Sequence, residues 1–427
     1  NRGVPLRPYN INAFDDHYLT RRHTNSLTAN FDLSKDYLAK FIVSHNVFQR
    51  TKNTYYRDLT TLESTQTAND GDQDTTKFSL ITARGAFIRA AKDKLNFEVG
   101  YDVNIETGAS FRLLGKSRHI SDYAAFSSAE WTLFSRDTEG GRKPSLVIRP
   151  GLRWSYNTAY HAPITPSLNL KWDIANGWVA RACYARGFRA PNLKELYFYF
   201  VDINHNIRGN ESLLAERSHS ANISLFGKKA FSNKVAARIE FVGFFNDIEN
   251  LITLAQIRAV ENGTPEFGYV NIGRVQTLGS RLSGSLMIGN FTLMPGVNWL
   301  QRRAQFRAES PIFAANNMEY RVNMMYEIEP YHLTINFLVK HTGQQQGFAT
   351  DELGNVAINQ IGAYTMSDIT VNKYFWNDKI RLNVGIKNLM NVTNVQAQTV
   401  GGVHTEGGNS TAIATGRTIF STLTFQF

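Results

Sequence analysis

Residues Leu95–Ile105 read Leu-Asn-Phe-Glu-Val-Gly-Tyr-Asp-Val-Asn-Ile, and apolar side chains alternate with polar or small ones over the whole stretch. A period of two sends successive side chains to opposite faces of a β-strand. Strands of soluble domains are usually about five or six residues long, so a strand of this length is unusual. The same alternation recurs at Ser26–Leu33, Arg217–Leu225, Tyr320–Ile328, Leu333–Val339, Arg381–Leu389 and Arg417–Phe427. Helical spacing is hard to find anywhere in the chain.

One face of each such strand carries Leu, Ile, Val, Phe or Tyr and the other carries polar or charged residues. A soluble sandwich buries the apolar face, whereas an outer-membrane barrel turns it to lipid and wets its lumen. Connection lengths separate the two. Seventeen strands are expected, near 24–34, 37–52, 76–91, 94–111, 119–134, 144–160, 164–174, 178–194, 216–227, 233–254, 267–288, 290–305, 316–329, 332–348, 363–375, 379–397 and 416–427. Short turns follow the odd-numbered strands, at Ser34-Lys35-Asp36, Lys92-Asp93, Ile174–Gly177, Gly227-Lys228-Lys229, Ile288-Gly289-Asn290, Glu329-Pro330 and Trp376-Asn377-Asp378, with a longer one at Asp137–Lys143. Long loops follow the even-numbered strands, such as 53–75, 195–216, 256–266, 304–315, 347–362 and 398–414. Short turns on one rim and long loops on the other are the outer-membrane arrangement, with the long loops outside the cell. The fold class expected is all-β, a transmembrane antiparallel barrel whose last strand ends on Phe427 at the periplasmic rim.

Composition agrees. Of 427 residues 42% are hydrophobic, 12% aromatic and 19% charged, a charged share below the roughly 25% of an average soluble domain. The net charge of +10 is spread along the chain without a block of like charges, which argues against a nucleic-acid tail. One cysteine, Cys183, excludes a disulfide framework, a cysteine-based zinc site and an iron–sulfur cluster. No apolar run is long enough for a transmembrane helix. No leader follows Asn1, so a signal peptide has been removed or the start of the protein lies outside this chain. In hydrocarbon each unpaired backbone group costs several kcal/mol, so the sheet must be closed. Bacterial barrels have even strand numbers, so an odd count implies a missing N-terminal part with an odd number of strands.

The most informative motifs are Tyr184-Ala-Arg-Gly-Phe-Arg-Ala-Pro-Asn-Leu-Lys-Glu-Leu-Tyr197 and Asp202-Ile-Asn-His-Asn-Ile-Arg-Gly-Asn-Glu-Ser-Leu213, followed by Ala215-Glu216. This pair resembles the aromatic-Arg-Ala-Pro and Gly-Asn-Pro-Asp-Leu boxes of TonB-dependent outer-membrane receptors, particularly of the Bacteroidetes type. Glu211 stands where that family usually has proline. Val270-Asn271-Ile272-Gly273 with Gly279, and Val384–Met390 with Met390 for the usual aromatic, resemble two further family signatures. The resemblance implies that residues 1–427 are the barrel domain, the C-terminal part of a plugged barrel of about 22 strands, with the plug and first strands outside this chain.

It also implies ligand capture by extracellular loops. Arg189 reads either as a ligand contact or as a lumen-facing residue beside Pro191, which ends ladder pairing at a rim. His205 lies between the two boxes, where haem-uptake members of the family carry a similar histidine, and imidazole is a common haem ligand. The same pattern occurs in receptors for other cargoes. His119, His161 and His404 lie in other outer loops. Tyr197 and Tyr199, within Tyr197-Phe-Tyr-Phe200, either stack a flat or catecholate ligand or belong to the aromatic girdle at the membrane interface. Arg208, Arg258, Arg302, Arg303 and Arg307 either draw an anionic chelate to the mouth or meet lipid-A phosphates.

No serine elbow, phosphate loop or His-Glu-x-x-His motif occurs, and no cofactor or resident metal site is expected. The function expected from the resemblance is energy-coupled uptake of a scarce iron complex, a ferric siderophore ahead of haem. Its partners would be the cargo, the TonB complex acting through the plug, outer-membrane lipid and lipopolysaccharide, and a surface lipoprotein. The alternatives are a cobalamin importer of the same family and a passive porin or surface-binding barrel.

Overall fold

The computed structural model describes residues 12–68, 71–91, 95–138, 141–175, 177–201, 206–258, 265–305, 312–350, 356–377, 379–399 and 408–426. All seventeen strands expected from the alternation are present. Among the described residues they form, with three short additional strands, an antiparallel sheet of twenty, and four further short strands form a second sheet.

Two compact units divide the chain. The first comprises Asn1–Ser128, Leu152–Ile164 and Ala190–Leu213, and the second Ala129–Gly151, Thr165–Arg189 and Leu214–Phe427. In the first, Asn12–Asp32, Tyr37–Asp58, Gln73–Arg89 and Leu95–Ala109 pair in sequence order. In the second, a continuous ladder runs from Thr165–Ala175 and Trp178–Arg189 through Glu216–Ser232, Val235–Arg258, Glu266–Ile288, Phe291–Gln305, Phe313–Ile328, Leu333–Thr342, Tyr364–Phe375 and Ile380–Lys387 to Thr418–Phe425.

The burial pattern is the reverse of a water-soluble sandwich. On Leu95–Ala109, Leu95, Val99 and Tyr101 are exposed by 46%, 51% and 43%, while Asn96, Glu98 and Asp102 are half-buried. Asp102 accepts a hydrogen bond from Arg153 at 3.2 Å. On Glu266–Ile288 the exposed large apolar side chains are Leu278, Leu282, Leu286, Met287 and Ile288, and the half-buried positions between them include Ser283 and Ser285. Each large apolar side chain left in water forgoes about 1.5–3 kcal/mol of transfer free energy. Against hydrocarbon that same transfer is completed, so this face belongs in a bilayer. Among the described residues no helix is long and apolar enough to cross a membrane.

The structure corrects several boundaries. The first strand, expected from residue 24, begins at Asn12. The turn expected at Gly227-Lys228-Lys229 lies inside a strand that continues to Ser232, and the chain turns between Ser232 and Val235. The strand expected over 332–348 ends at Thr342, and Gly343 N–H makes one more backbone bond in the same register, to the Met318 carbonyl at 2.8 Å. Gln345–Thr350 instead pairs with Val356–Ile361, and Asn394–Thr399 with Gly408–Ala412, across the ends of the strands expected over 332–348 and 379–397 and the loops expected over 347–362 and 398–414. The strand expected over 379–397 stops at Lys387, where Asn388 takes a left-handed conformation with φ of 52°. Lys92-Asp93, Asp378, His205, His404 and Arg307 lie outside the described residues.

Register follows from this face separation, since a slip of one residue would carry Ser283 into lipid and Leu282 away from it. Leu282→Arg should destabilise the protein by about 2–4 kcal/mol, and Ser283→Arg by much less. Urea unfolding in lipid vesicles, followed by heat-modifiable gel mobility, measures the difference.

Candidate functional site

Trp178–Arg189 stops pairing where Arg189 faces Glu216, two residues before Pro191, which has no N–H to donate. The chain then forms the helix Leu193–Tyr197, which the period-two reading missed and which the Asn-x-x-Glu spacing at its start signals. The Asn192 side chain accepts from the Lys194 and Glu195 amides, both at 3.0 Å, and Glu195 Oε2 accepts from the Asn192 amide at 2.8 Å. This capping box fixes the helix entry.

Water is excluded beneath it. Leu193 and Leu196 from the helix, with Leu113, Leu213 and Pro191 of the same unit, are almost fully buried. Backbone bonds tie the helix exit to the segment at Phe111–Leu114. Leu114 N–H bonds to Tyr197 O at 3.0 Å and Tyr199 N–H to Arg112 O at 2.9 Å. The second box closes over the helix, with Gly209 N–H on Phe198 O at 2.6 Å and Asn210 N–H on Glu195 O at 2.8 Å. A Cβ at Gly209 would sit 2.7 Å from the Leu196 carbonyl carbon, so only glycine permits this approach. The Tyr160 hydroxyl donates to Leu213 O at 3.0 Å. Burial, with Tyr197 and Glu195 nearby, holds its pKa above the ordinary value of 10.0.

Two arginines cover the aromatic run. Arg118 lies 4.6 Å over the Tyr197 ring and Arg112 lies 4.4 Å over the Phe200 ring. Phe198 and Phe200 stack, and the Tyr199 hydroxyl donates to Phe111 O at 3.1 Å. Arg208 is the ladder partner of Tyr199. Cationic, aromatic and hydroxyl groups therefore share one loop cluster, an arrangement able to hold a flat anionic molecule. The structure brings Tyr197, Tyr199 and Arg208 together in the first unit. Sequence reading did not single out Arg112 or Arg118, because their pairing with the aromatic run is long-range.

Arg189 belongs to the second unit and forms an ion pair with Glu216 at 2.5 Å. Glu216 also accepts the Ile252 amide at 2.8 Å. The other motif residues make similar clamps. Asn271 bonds both the amide and the carbonyl of Leu214 and the carbonyl of Asn250, and Asn388 bonds Asp368 and both backbone groups of Val392. Of the arginines assigned to the mouth, Arg258 pairs with Glu266 at 2.5 Å, while Arg302 and Arg303 are exposed near the end of their strand. His119 is in the strand Ser117–Thr138 rather than a loop, and His161 is exposed. No cluster of three or more metal-ligating side chains occurs among the described residues.

Long antiparallel strands with an apolar outer face, short turns on one side and built-up loops on the other define an integral outer-membrane β-barrel protein. Residues 1–389 match the family model described as TonB dependent receptor-like, beta-barrel, and the chain belongs to that family. This is a family of bacterial outer-membrane receptors and not of enzymes. The chain is similar to the ferric enterobactin receptor of Pseudomonas aeruginosa, with 24% identity over 355 residues covering 76% of this chain and 45% of that protein. It is also similar to the iron-regulated outer membrane virulence protein of Vibrio cholerae, with 26% identity over 181 residues covering 40% and 27% of the two chains. It thus spans less than half the length of either relative. The solved siderophore receptor PirA of Acinetobacter baumannii shares the fold, with a TM-score of 0.64, 14% identity and coverage of 96% of this chain and 63% of that one. These relatives support the family and not the narrower Bacteroidetes-type assignment.

Gly209→Ala should part the second box from the helix and lower amide hydrogen-exchange protection at Asn210 and Leu213. The Tyr160 contribution has a defined pH range. Its folded-state pKa is raised, so it stabilises the loop fully below the unfolded value of about 10 and loses that effect as pH rises through the folded value. Wild-type protein should therefore lose Leu213 protection above pH ~10 beyond the intrinsic change in exchange, and Tyr160→Phe should not show that step.

Proposed function

We propose that the protein takes up a scarce anionic iron complex across the outer membrane, a ferric siderophore in preference to haem. On this reading residues 1–427 are the barrel domain of a longer receptor, and a plug domain links it to the TonB energy-coupling complex. Long loops of outer-membrane barrels are extracellular, so the cluster at 190–213 faces incoming cargo.

The observation that carries the reading is the pair of guanidinium groups laid over the aromatic run, Arg118 on Tyr197 and Arg112 on Phe200. Aromatic faces favour a flat or catecholate ligand, and the guanidinium groups favour negative charge. Tyr197, Tyr199 and Arg208 are the proposed ligand contacts within it, and His205, between the two boxes, and Arg189 are further proposed contacts. The names of the relatives, a ferric enterobactin receptor and an iron-regulated protein, support iron as the cargo element.

The test is equilibrium binding of ferric siderophores of catecholate and hydroxamate type, and of haem, to the intact receptor. A catecholate complex should bind best, and Arg118→Ala and Arg208→Ala should each weaken it about tenfold, the equivalent of one strong charged contact. Tight haem binding lost in His205→Ala, with no siderophore binding, would reverse the ranking of cargoes. Unchanged binding of every complex in all three variants would show that the cargo site lies elsewhere.

A further inference from the structure

The polar face of the second unit carries a hollow of about 480 Å³ near the short turns at which one strand begins at Val235 and another ends at Ile288. Ladder register explains why it forms. Ile239, Phe241 and Leu282 are exposed on the apolar face, so the two-residue period turns Arg238, Glu240, Arg281 and Ser283 to the other. Glu240, Ser283, Gly296 and Arg321 share one row across four strands. The two middle members are small and leave a floor between two long side chains. Arg281 and Asn298 stand in the next row toward the loops, and Arg238 and Ser285 in the next row toward the turns. Beside this floor the ladder opens. Pairing between Glu266–Ile288 and Phe291–Gln305 stops at Ser283 with Gly296 and resumes at Leu286 with Leu293, and Pro295 in the gap has no N–H to donate.

Three guanidinium groups, of Arg238, Arg281 and Arg321, and one carboxylate, of Glu240, line the hollow. None of the four forms a salt bridge among the described residues. Glu319, the row neighbour of Asn298, does not neutralise them, because Lys340 already holds it at 2.9 Å. Lys228, the ladder partner of Arg238, adds a further cation at the side, and the Arg238 guanidinium rests 5.7 Å from the Phe226 ring. Positive charge is therefore in excess even after Glu240 is counted. A concave surface lined by one sign of charge concentrates counter-ions. A second hollow of about 430 Å³ shares Arg281 and Asn298 and is lined on its loop side by Val242, Phe244 and Leu300.

We propose that this hollow binds a small organic polyanion through Arg238, Arg281 and Arg321, with an apolar part of the ligand against Phe244 and Leu300. Charge selects the class. Glu240 offsets one arginine, and the two that remain call for two or more negative groups on one molecule, which a monovalent anion lacks. Guanidinium forks match carboxylate and phosphate geometry, and the volume is in the range of small-molecule sites. Short turns of outer-membrane barrels are periplasmic, so the hollow stands at the periplasmic end of the wall. Resting on the uptake reading above, the polyanion is the anionic cargo, and the hollow is its last holding point before the periplasm. The site is separate from the cluster at 190–213, which belongs to the first unit.

The test is isothermal titration of citrate, and separately of inorganic triphosphate, into the purified intact receptor. Wild-type protein should bind both, more weakly as salt rises. Arg238→Gln/Arg321→Gln should weaken binding about tenfold or more. Ser283→Glu, which sets a carboxylate on the floor and removes no arginine, should do the same. Arg217→Gln, on the opposite face of the sheet, should bind as wild type does. Heat-modifiable mobility shows that each variant is folded, and either folded variant decides if the other fails to fold. Equal binding by wild type and the folded variants would overturn the proposal. So would absence of binding to wild type, the result expected if an acidic segment of the receptor itself fills the hollow. Cells carrying the receptor test the link to transport. There the double variant should bind ferric enterobactin at the surface as wild type does and take it up about tenfold more slowly, and unchanged uptake would remove the hollow from the route. If wild-type cells bind no ferric enterobactin, the cargo reading falls by itself, because the citrate titration does not depend on it.

Discussion

Hydrocarbon offers no hydrogen-bond partner, so every backbone N–H and C=O within the bilayer must be paired by another strand. The long antiparallel ladders are the consequence. Once the backbone is paired, the two-residue period gives each strand one face for lipid and one for water, which is why Leu282 is exposed and Ser283 is not. Sheet register then becomes an energetic necessity. Where two strands meet closely, small residues take the strain, as at Gly85, over which the ring of Tyr101 lies at a distance that would clash with any Cβ.

Beyond the bilayer the constraint relaxes, and loops must exclude water on their own account. The cluster around the helix Leu193–Tyr197 does so with a handful of buried leucines, a capping box and backbone bonds between distant segments. The motif residues that carry the family resemblance mostly act as clamps. Glu216 gathers Arg189 and the Ile252 amide, Asn271 holds Leu214, and Asn388 shapes the turn before Val392. Such residues keep loops in place whatever the cargo. Groups with ligand chemistry, Arg112 and Arg118 above the aromatic run, belong to no motif.

Charged side chains at the loop ends of the strands answer to the same boundary. At the edge of hydrocarbon an arginine side chain can lay its stem on apolar surface and keep its guanidinium in the headgroup layer. Arg274 is neutralised within the sheet by Asp247, whereas Arg186 and Arg217 have no salt-bridge partner among the described residues.

Alternation at Leu95–Ile105 and its repeats was enough to identify all seventeen long strands, the faces they present and the parity of short and long connections, because a period of two is a local property of the chain. Turns were legible where glycine or asparagine supplied a left-handed residue, as at Gly289 and Asn377, and were misplaced at Lys228-Lys229, where rim charges resemble a turn. The short hairpins at Gln345–Ile361 and Asn394–Ala412 were too short to stand out by alternation. Tertiary structure alone decided which residues meet. Tyr199 reaches Phe111 across 88 positions, and the row from Glu240 to Arg321 crosses four strands. Pairing of that kind depends on how successive strands align and on which loops fold together, and no local period encodes either.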